Sequence, residues 1–302
     1  MLCRGQITSV TVFAPAKLNL FLKILGKRGD GYHELETLMV SVGLYDTLLL
    51  ADDPSGALHL SCRDGGPRRA GTPPRELPGS GPDNLVLRAA ELLRSTAGTP
   101  RGARIELVKR IPMAAGLAGG SSDAAAALAG LNCLWNLGLS LPELQALGGR
   151  LGSDIPFFLC STPAAICRGR GEVVEPLLLP ARFWFVIARP RSGLSTAEVY
   201  LHCRPSSVNW SAAELAVRLS RGRLAAAAEL FHNALQEPAE RLNADVTRLK
   251  TAFARQPFAG HLMSGSGTSY FGLCHSRRQG QQLGARLKAA RLGDVFVVCS
   301  RP

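Results

Sequence analysis

The sequence predicts a mixed fold of strands and helices, α+β or α/β in class, built as two domains. Three observations carry this. Strand-like alternation and helical spacing succeed one another along the whole chain. At 302 residues the chain is long enough for two ordinary cores. Hydrophobic residues make up 46% of it, a globular level.

The elements follow in order. Residues 7–25 read as a strand. Leu18, Leu20, Leu22 and Ile24 fall on one face and Lys17, Asn19, Phe21 and Lys23 on the other. A turn at Arg28 to Gly31 precedes further strand-like runs over 35–50. Residues 61–82 are rich in Gly, Pro and Arg with few apolar anchors, and read as a mobile, dispensable surface loop. A helix follows over 84–94, with Asp83 as its expected N-cap. Next come a strand at 104–108, a loop at 111–120 and an alanine-rich helix over 121–137. Leu128, Leu131 and Trp135 share a face of that helix. Ser140 is expected to cap a helix over 141–151. A strand at 183–188 precedes helices at 211–220, 223–236 and 238–255. Strands at 260–264 and 270–274, a helix at 276–291 and a strand at 295–299 complete the chain. Pro and Gly cluster at 161–171, which sets a domain division into 1–163 and 164–302.

Composition narrows the function. The run from Val12 to Leu25 is interrupted by Lys17, Asn19 and Lys23, so it reads as neither signal peptide nor membrane anchor, and the expected address is the cytoplasm. Eight cysteines stand singly, with no CxxC pair and no HExxH, which argues against zinc or a disulfide framework. The net charge of +12 is mostly arginine spread along the chain, without a basic helix or an aromatic-basic strand of the RNA-binding kind. Compositional bias or attraction of a polyphosphate ligand both account for it.

The segment most able to carry chemistry runs from Ile111 to Asp123, between a strand and a helix. Glycine lets an anion approach backbone N–H groups, and the helix N-terminus adds free donors and a positive dipole end. Ser121 and Ser122 can cap the helix or donate to a phosphate oxygen. No Gly-Lys-Ser/Thr closes the loop, so it is not a Walker A sequence; the dinucleotide spacing and the protein-kinase signatures are absent too. Taken alone, Lys17 and Asn19 read as a solvated strand face, and Asp154, ahead of Pro156, as a turn cap.

Together these segments resemble the GHMP kinase superfamily. Its three motifs correspond to Pro15 through Asn19, Pro112 through Asp123, and Met263 through Thr268. Asp30 through Leu35, Asp83 through Leu85, and Leu151 through Pro156 narrow the resemblance to the branch acting on a cytidine-diphosphate-linked methylerythritol in non-mevalonate isoprenoid synthesis. The resemblance runs nearly end to end and is weakest at 61–82 and 190–255.

The resemblance implies an α+β, two-domain fold, with an ATP-binding α/β domain first and a ferredoxin-like domain second. It implies transfer of the γ-phosphoryl of ATP to the C2 hydroxyl of the methylerythritol, with Mg²⁺ accompanying ATP and its protein ligands unspecified. Asp154 would be the general base and Lys17 its partner. ATP would meet Asn84 and the loop Pro112, Met113, Ala114, Ala115, Gly116, Leu117, Ala118, Gly119, Gly120, Ser121 and Ser122. Asn19 would lie beside the catalytic pair, Tyr32 and His33 would grip the cytidine, and Tyr200 would stack on the base. The expected partners are these small molecules, with no nucleic acid and no membrane, for a monomer or weak homodimer. A kinase of mevalonate or homoserine type, or a basic nucleic-acid-binding protein, is the alternative.

Ala114 and Ala118 stand where the superfamily often has glycine, and Asn233, Ala234 and Leu235 stand where an Asn-Asp-Leu segment is common. Because alanine disfavours positive φ, negative φ is expected at Ala114, Ala115 and Ala118, with any left-handed residue at Gly116, Gly119 or Gly120.

Overall fold

The computed structural model describes residues 8–66, 77–179 and 182–300. The chain forms two compact units that interleave in sequence, one of residues 1–16, 44–113 and 119–161, the other of 17–43, 114–118 and 162–302. Two long strands, β1 (Ser9–Lys27) and β2 (His33–Asp53), give one part of their length to each unit.

In the first unit, β2 pairs antiparallel with β4 (Gly102–Lys109), and β4 pairs in parallel with β3 (Leu58–Asp64). Among the described residues its helices are α1 (Leu85–Ala97), α2 (Gly119–Leu134), α3 (Leu141–Leu151) and α4 (Ile155–Leu159). Helix α2 packs against the other three. It is buried nearly all round, with Ala124, Ala127, Leu128 and Leu131 fully enclosed, as expected of an apolar central helix. Its alanines and Gly130 allow a close approach to the strands: a Cβ on Gly130 would meet Leu50 at 2.3 Å and Val12 at 2.9 Å. Ser140 donates through its backbone N–H and its hydroxyl to Glu143, which fixes the start of α3 as expected.

In the second unit, β8 (His232–Asn233) lies parallel to β1, while β5 (Ala164–Arg168) pairs with β2 and β6 (Val173–Leu177) with β5. A separate antiparallel sheet holds β7 (Trp184–Arg189), β9 (Gly260–Met263), β10 (Tyr270–Cys274) and β11 (Asp294–Cys299) in the order β11-β7-β10-β9. The helices are α5 (Thr196–Leu201), α6 (Ala212–Ser220), α7 (Leu224–Ala228), α8 (Gln236–Leu242), α9 (Ala244–Ala254) and α10 (Arg277–Ala289). Helix α9 precedes β9 and α10 joins β10 to β11, which is the split β-α-β pattern of a ferredoxin-like sheet. Val186, Phe253, Tyr270, Leu283 and Leu287 lie in its core.

Several expectations are corrected. Residues 61–64 belong to β3, where Cys62 and Asp64 pair with Leu107 and Lys109, so this part is a strand and not a loop; residues 67–76 lie outside the described residues. Asn84, not Asp83, caps α1. The helix expected over 223–236 is interrupted by β8, and that over 238–255 breaks at Asn243, whose side chain accepts the N–H of Asp245 to start α9. The polar face of β1 is not solvated, because Lys17 and Asn19 are buried.

The seven described cysteines are free thiols, and no group of three or more His, Cys, Asp or Glu able to hold a metal occurs among the described residues. No helix among the described residues is long and apolar enough to cross a membrane.

Candidate active site

The second unit assembles much of the predicted site. On β1, Lys17 Nζ donates to Asn19 Oδ1 at 2.5 Å. Asn19 Nδ2 donates in turn to Thr37 Oγ1 at 2.8 Å, and Thr37 donates to the Phe21 carbonyl. This relay orients the Asn19 amide with its oxygen towards the ammonium. The backbone N–H of Lys17 donates to Leu117 O at 3.1 Å, so β1 also carries the tip of the glycine-rich loop.

That tip, Ala114 to Ala118, is held by the loop after β9. Ser269 N donates to Ala115 O at 3.1 Å, and Ser264 Oγ to Gly116 O at 3.0 Å. Gly116 has φ 70°, and a Cβ there would meet Ser264 O at 2.1 Å, so glycine is required. The expectation of negative φ at the alanines is overturned: Ala114 has φ 47° and Ala118 φ 55°. The carbonyls of Ala115, Gly116 and Leu117 are tied to three outside donors, and these bonds fix the path against the alanines' preference. Gly119 and Gly120 open α2 and carry no left-handed conformation.

Asn233 is a residue the sequence offered only as part of a familiar segment. Its buried Nδ2 donates to Met263 O and Gly265 O, both at 2.8 Å, and its Oδ1 accepts Leu235 N. It thereby fixes the loop that grips the glycine-rich tip.

Tyr32, His33 and Tyr200 also belong to this unit. The His33 and Tyr200 ring centroids are 5.3 Å apart at 38°. Tyr32 is 51% exposed, with the Arg170 guanidinium 4.7 Å from its ring centroid. Burial, and then the charge of Lys27, push the His33 pKa below its usual value. The shift favours the neutral ring, which offers one donor and one acceptor.

In the first unit, Pro112 and Met113 are half-buried and lead out of β4 into the loop. Helix α2 begins at Gly119, so Ser121 and Ser122 sit in its first turn and neither is its cap. The buried Ser122 hydroxyl has no hydrogen-bond partner among the described residues. Asn84 caps α1, accepting Val86 N at 2.9 Å and donating to Gly79 O at 2.7 Å. Asp154 occupies the N-cap position of α4, as the turn-cap reading places it, but its side chain makes no capping bond. Lys17 and Asp154 belong to different units.

Sequence reasoning passed over Lys109. Its ammonium is buried between Asp46 and Asp123, and Asp46 also accepts the N–H groups of Arg110 and Ile111. The available signal was a lysine, one of only six, directly after the apolar pair Leu107 and Val108 at the end of a strand.

Residues 84–162 match the GHMP kinases N terminal domain, and residues 212–291 match the GHMP kinases C terminal domain. A 4-diphosphocytidyl-2-C-methyl-D-erythritol kinase of Pelotomaculum thermopropionicum is 41% identical over 281 residues, covering 92% of this chain and 94% of that one. The chain belongs to the 4-diphosphocytidyl-2-C-methyl-D-erythritol kinase family of GHMP kinases. A second family member, from Shouchella clausii, is 40% identical over 87% of this chain and 85% of its own. A crystal structure of a 4-(cytidine 5'-diphospho)-2C-methyl-D-erythritol kinase superposes with a TM-score of 0.79 at 34% identity, covering 97% of this chain and all of that one. A homoserine kinase from Cytophaga hutchinsonii, at TM-score 0.71 and 19% identity over 100% of this chain and 97% of that one, shares the fold. As a GHMP kinase of this family, the chain is an ATP-dependent kinase.

Proposed function

We propose that this chain transfers the γ-phosphoryl of ATP to the C2 hydroxyl of 4-diphosphocytidyl-2-C-methyl-D-erythritol, giving ADP and the 2-phosphate in non-mevalonate isoprenoid synthesis. The observation that carries the choice of acceptor is the ring pair His33 and Tyr200 with exposed Tyr32 in the same unit. Flat rings suit stacking on a base, and a neutral imidazole suits hydrogen bonding to its edge.

Phosphoryl transfer asks for positioning, charge neutralisation and one group to accept the hydroxyl proton. In this reading Asp154 accepts that proton, Lys17 is its partner and stabilises the developing charge, and Asn19 fixes Lys17. The loop from Pro112 to Ser122 receives the nucleotide, with the N–H groups of the first turn of α2 directed to phosphate oxygens. Asn84 supports the nucleotide from the start of α1. Magnesium would accompany the nucleotide and neutralise part of its phosphate charge. We assign ATP binding to 1–163, place the enzyme in the cytoplasm as a monomer or weak homodimer, and expect no nucleic-acid or membrane partner.

The test is ADP release with the cytidylylated substrate beside mevalonate and homoserine. Turnover with the cytidylylated substrate alone is expected. Preference for either of the other alcohols overturns the acceptor assignment while leaving the kinase.

A further inference from the structure

Lys109, Asp46 and Asp123 form a three-charge cluster in which the side chains are 7%, 0% and 3% exposed. Lys109 Nζ donates to Asp123 Oδ2 at 2.7 Å and also to Asp46 Oδ2. The other oxygen of Asp46 accepts Arg110 N and Ile111 N, the first residues of the glycine-rich loop. Asp123 stands in α2, just past the end of that loop. The ammonium also passes close under the first residue of α2, since a Cβ on Gly119 would lie 3.2 Å from Lys109 Nζ and 2.9 Å from Ile111 Cγ2. The cluster thus touches the strand that enters the loop and the helix that leaves it.

Such a cluster is a poor stabiliser. Taking three charges out of water is costly, and apolar replacements of buried ion pairs are often neutral or stabilising. Two carboxylates also share one ammonium, and burial pushes Asp123 up to about 7, with Lys109 offsetting part of the shift and Asp46 adding to it. What the arrangement supplies is direction, because charge-assisted bonds fix distances that apolar packing leaves adjustable.

We propose that Lys109 is a positioning residue that clamps the two stems of the glycine-rich loop, through Asp46 on one side and Asp123 and Gly119 on the other, and so sets the loop for nucleotide binding. This rests on reading the loop as the ATP site. A change of stem spacing is felt at every backbone donor of the loop, and small misplacements of binding groups are expensive.

The experiment compares the full-length wild type with Lys109→Met/Asp123→Leu, which removes one positive and one negative charge together and leaves Asp46 with its two backbone partners. Binding of a non-hydrolysable ATP analogue is measured by calorimetry, with KM for both substrates and the melting temperature alongside. The expected result is a cooperatively folded variant whose analogue Kd and ATP KM rise about tenfold or more while KM for the acceptor stays within about twofold. Lys109→Arg should recover part of the affinity. A folded variant with wild-type analogue Kd overturns the clamp. If the double variant does not fold, Asp123→Asn keeps the shape and weakens the bond; a raised analogue Kd there supports the clamp and an unchanged one overturns it. Wild-type protein that fails to bind the analogue overturns the ATP-loop reading and the clamp with it.

Discussion

Asn19 holds the ammonium of Lys17, with Nζ donating to Oδ1 at 2.5 Å and both side chains buried on β1. Thr37 fixes the amide from its other end. Asn19→Leu keeps the size and removes the acceptor, so Lys17 loses this restraint without losing its charge. Turnover should fall about 10–100-fold, the scale of a misplaced catalytic group. KM for ATP should change little. Steady-state rates with both substrates varied check this, and an unaltered kcat would return Asn19 to a packing role.

The ring pair gives a prediction with a built-in control. Tyr200 lies 5.3 Å from His33 by centroid, on α5 rather than on the glycine-rich loop. Tyr200→Ala should weaken acceptor binding by about 1–3 kcal/mol, the usual worth of a base–aromatic contact. KM for the cytidylylated substrate rises and that for ATP stays put. Equal effects on the two would mean that Tyr200 supports the unit as a whole.

Ala114 and Ala118 are held at φ 47° and 55°, where a Cβ is crowded. Glycine relieves roughly 1–2 kcal/mol of that strain per site and gives back about 0.5–1 kcal/mol as lost chain entropy. Ala114→Gly and Ala118→Gly are therefore each expected to stabilise the protein by up to about 1 kcal/mol. Urea denaturation reads the difference. A loss of stability in both variants would mean that the alanine methyl groups contribute contacts outweighing the strain.

Those two alanines also mark where the sequence stopped being legible. The glycine-rich loop, its strand and its helix could be read from local composition, and β10 from its apolar run. The φ values could not, because bonds from Ser269, Ser264 and Lys17 set them from distant points of the chain. The strand at 61–64 was missed for a similar reason: its parallel partner is β4, and Gly and Arg nearby gave a loop-like composition. Asn233 looked like a remnant of a motif, and only its bonds to Met263 and Gly265 reveal a structural task. Local preference was overridden wherever a long-range polar contact fixed the backbone.

Asp123 predicts a pH dependence of stability. Burial, followed by the offsetting charge of Lys109 and the adding charge of Asp46, puts its pKa at about 7 in the folded chain against 3.8 ordinarily. The Cys62 thiol is pushed up, first by burial and then by the charge of Asp123. Between about pH 4 and pH 7 the folded protein keeps a proton that the unfolded chain releases, so this contribution to stability falls as pH rises and levels off above that window. Asp123→Asn cannot titrate. The stability difference, wild type minus variant, should decline across the window in denaturation series at matched salt. A difference that is flat, or that grows with pH, contradicts a raised Asp123.

The proposed catalytic pair yields the sharpest test, since it needs Lys17 and Asp154 to act on one hydroxyl although they stand far apart in the chain. Asp154 stands at the N-cap position of α4 without a side-chain capping bond. Asp154→Asn keeps the shape and removes the base, and should lower turnover by ~10²–10⁴-fold, the worth of positioned acid–base help. Lys17→Met removes the charge proposed to steady the transferring group, and should also cut turnover. If the two work as a unit, their losses are not additive, and the double variant is little slower than the slower single one. Nucleotide affinity, read by analogue binding, should hardly move for Asp154→Asn. Losses that multiply in the double variant would make Lys17 and Asp154 independent contributors. Near-normal turnover of Asp154→Asn would remove it from the reaction, and the proton would then have to leave the hydroxyl by another route.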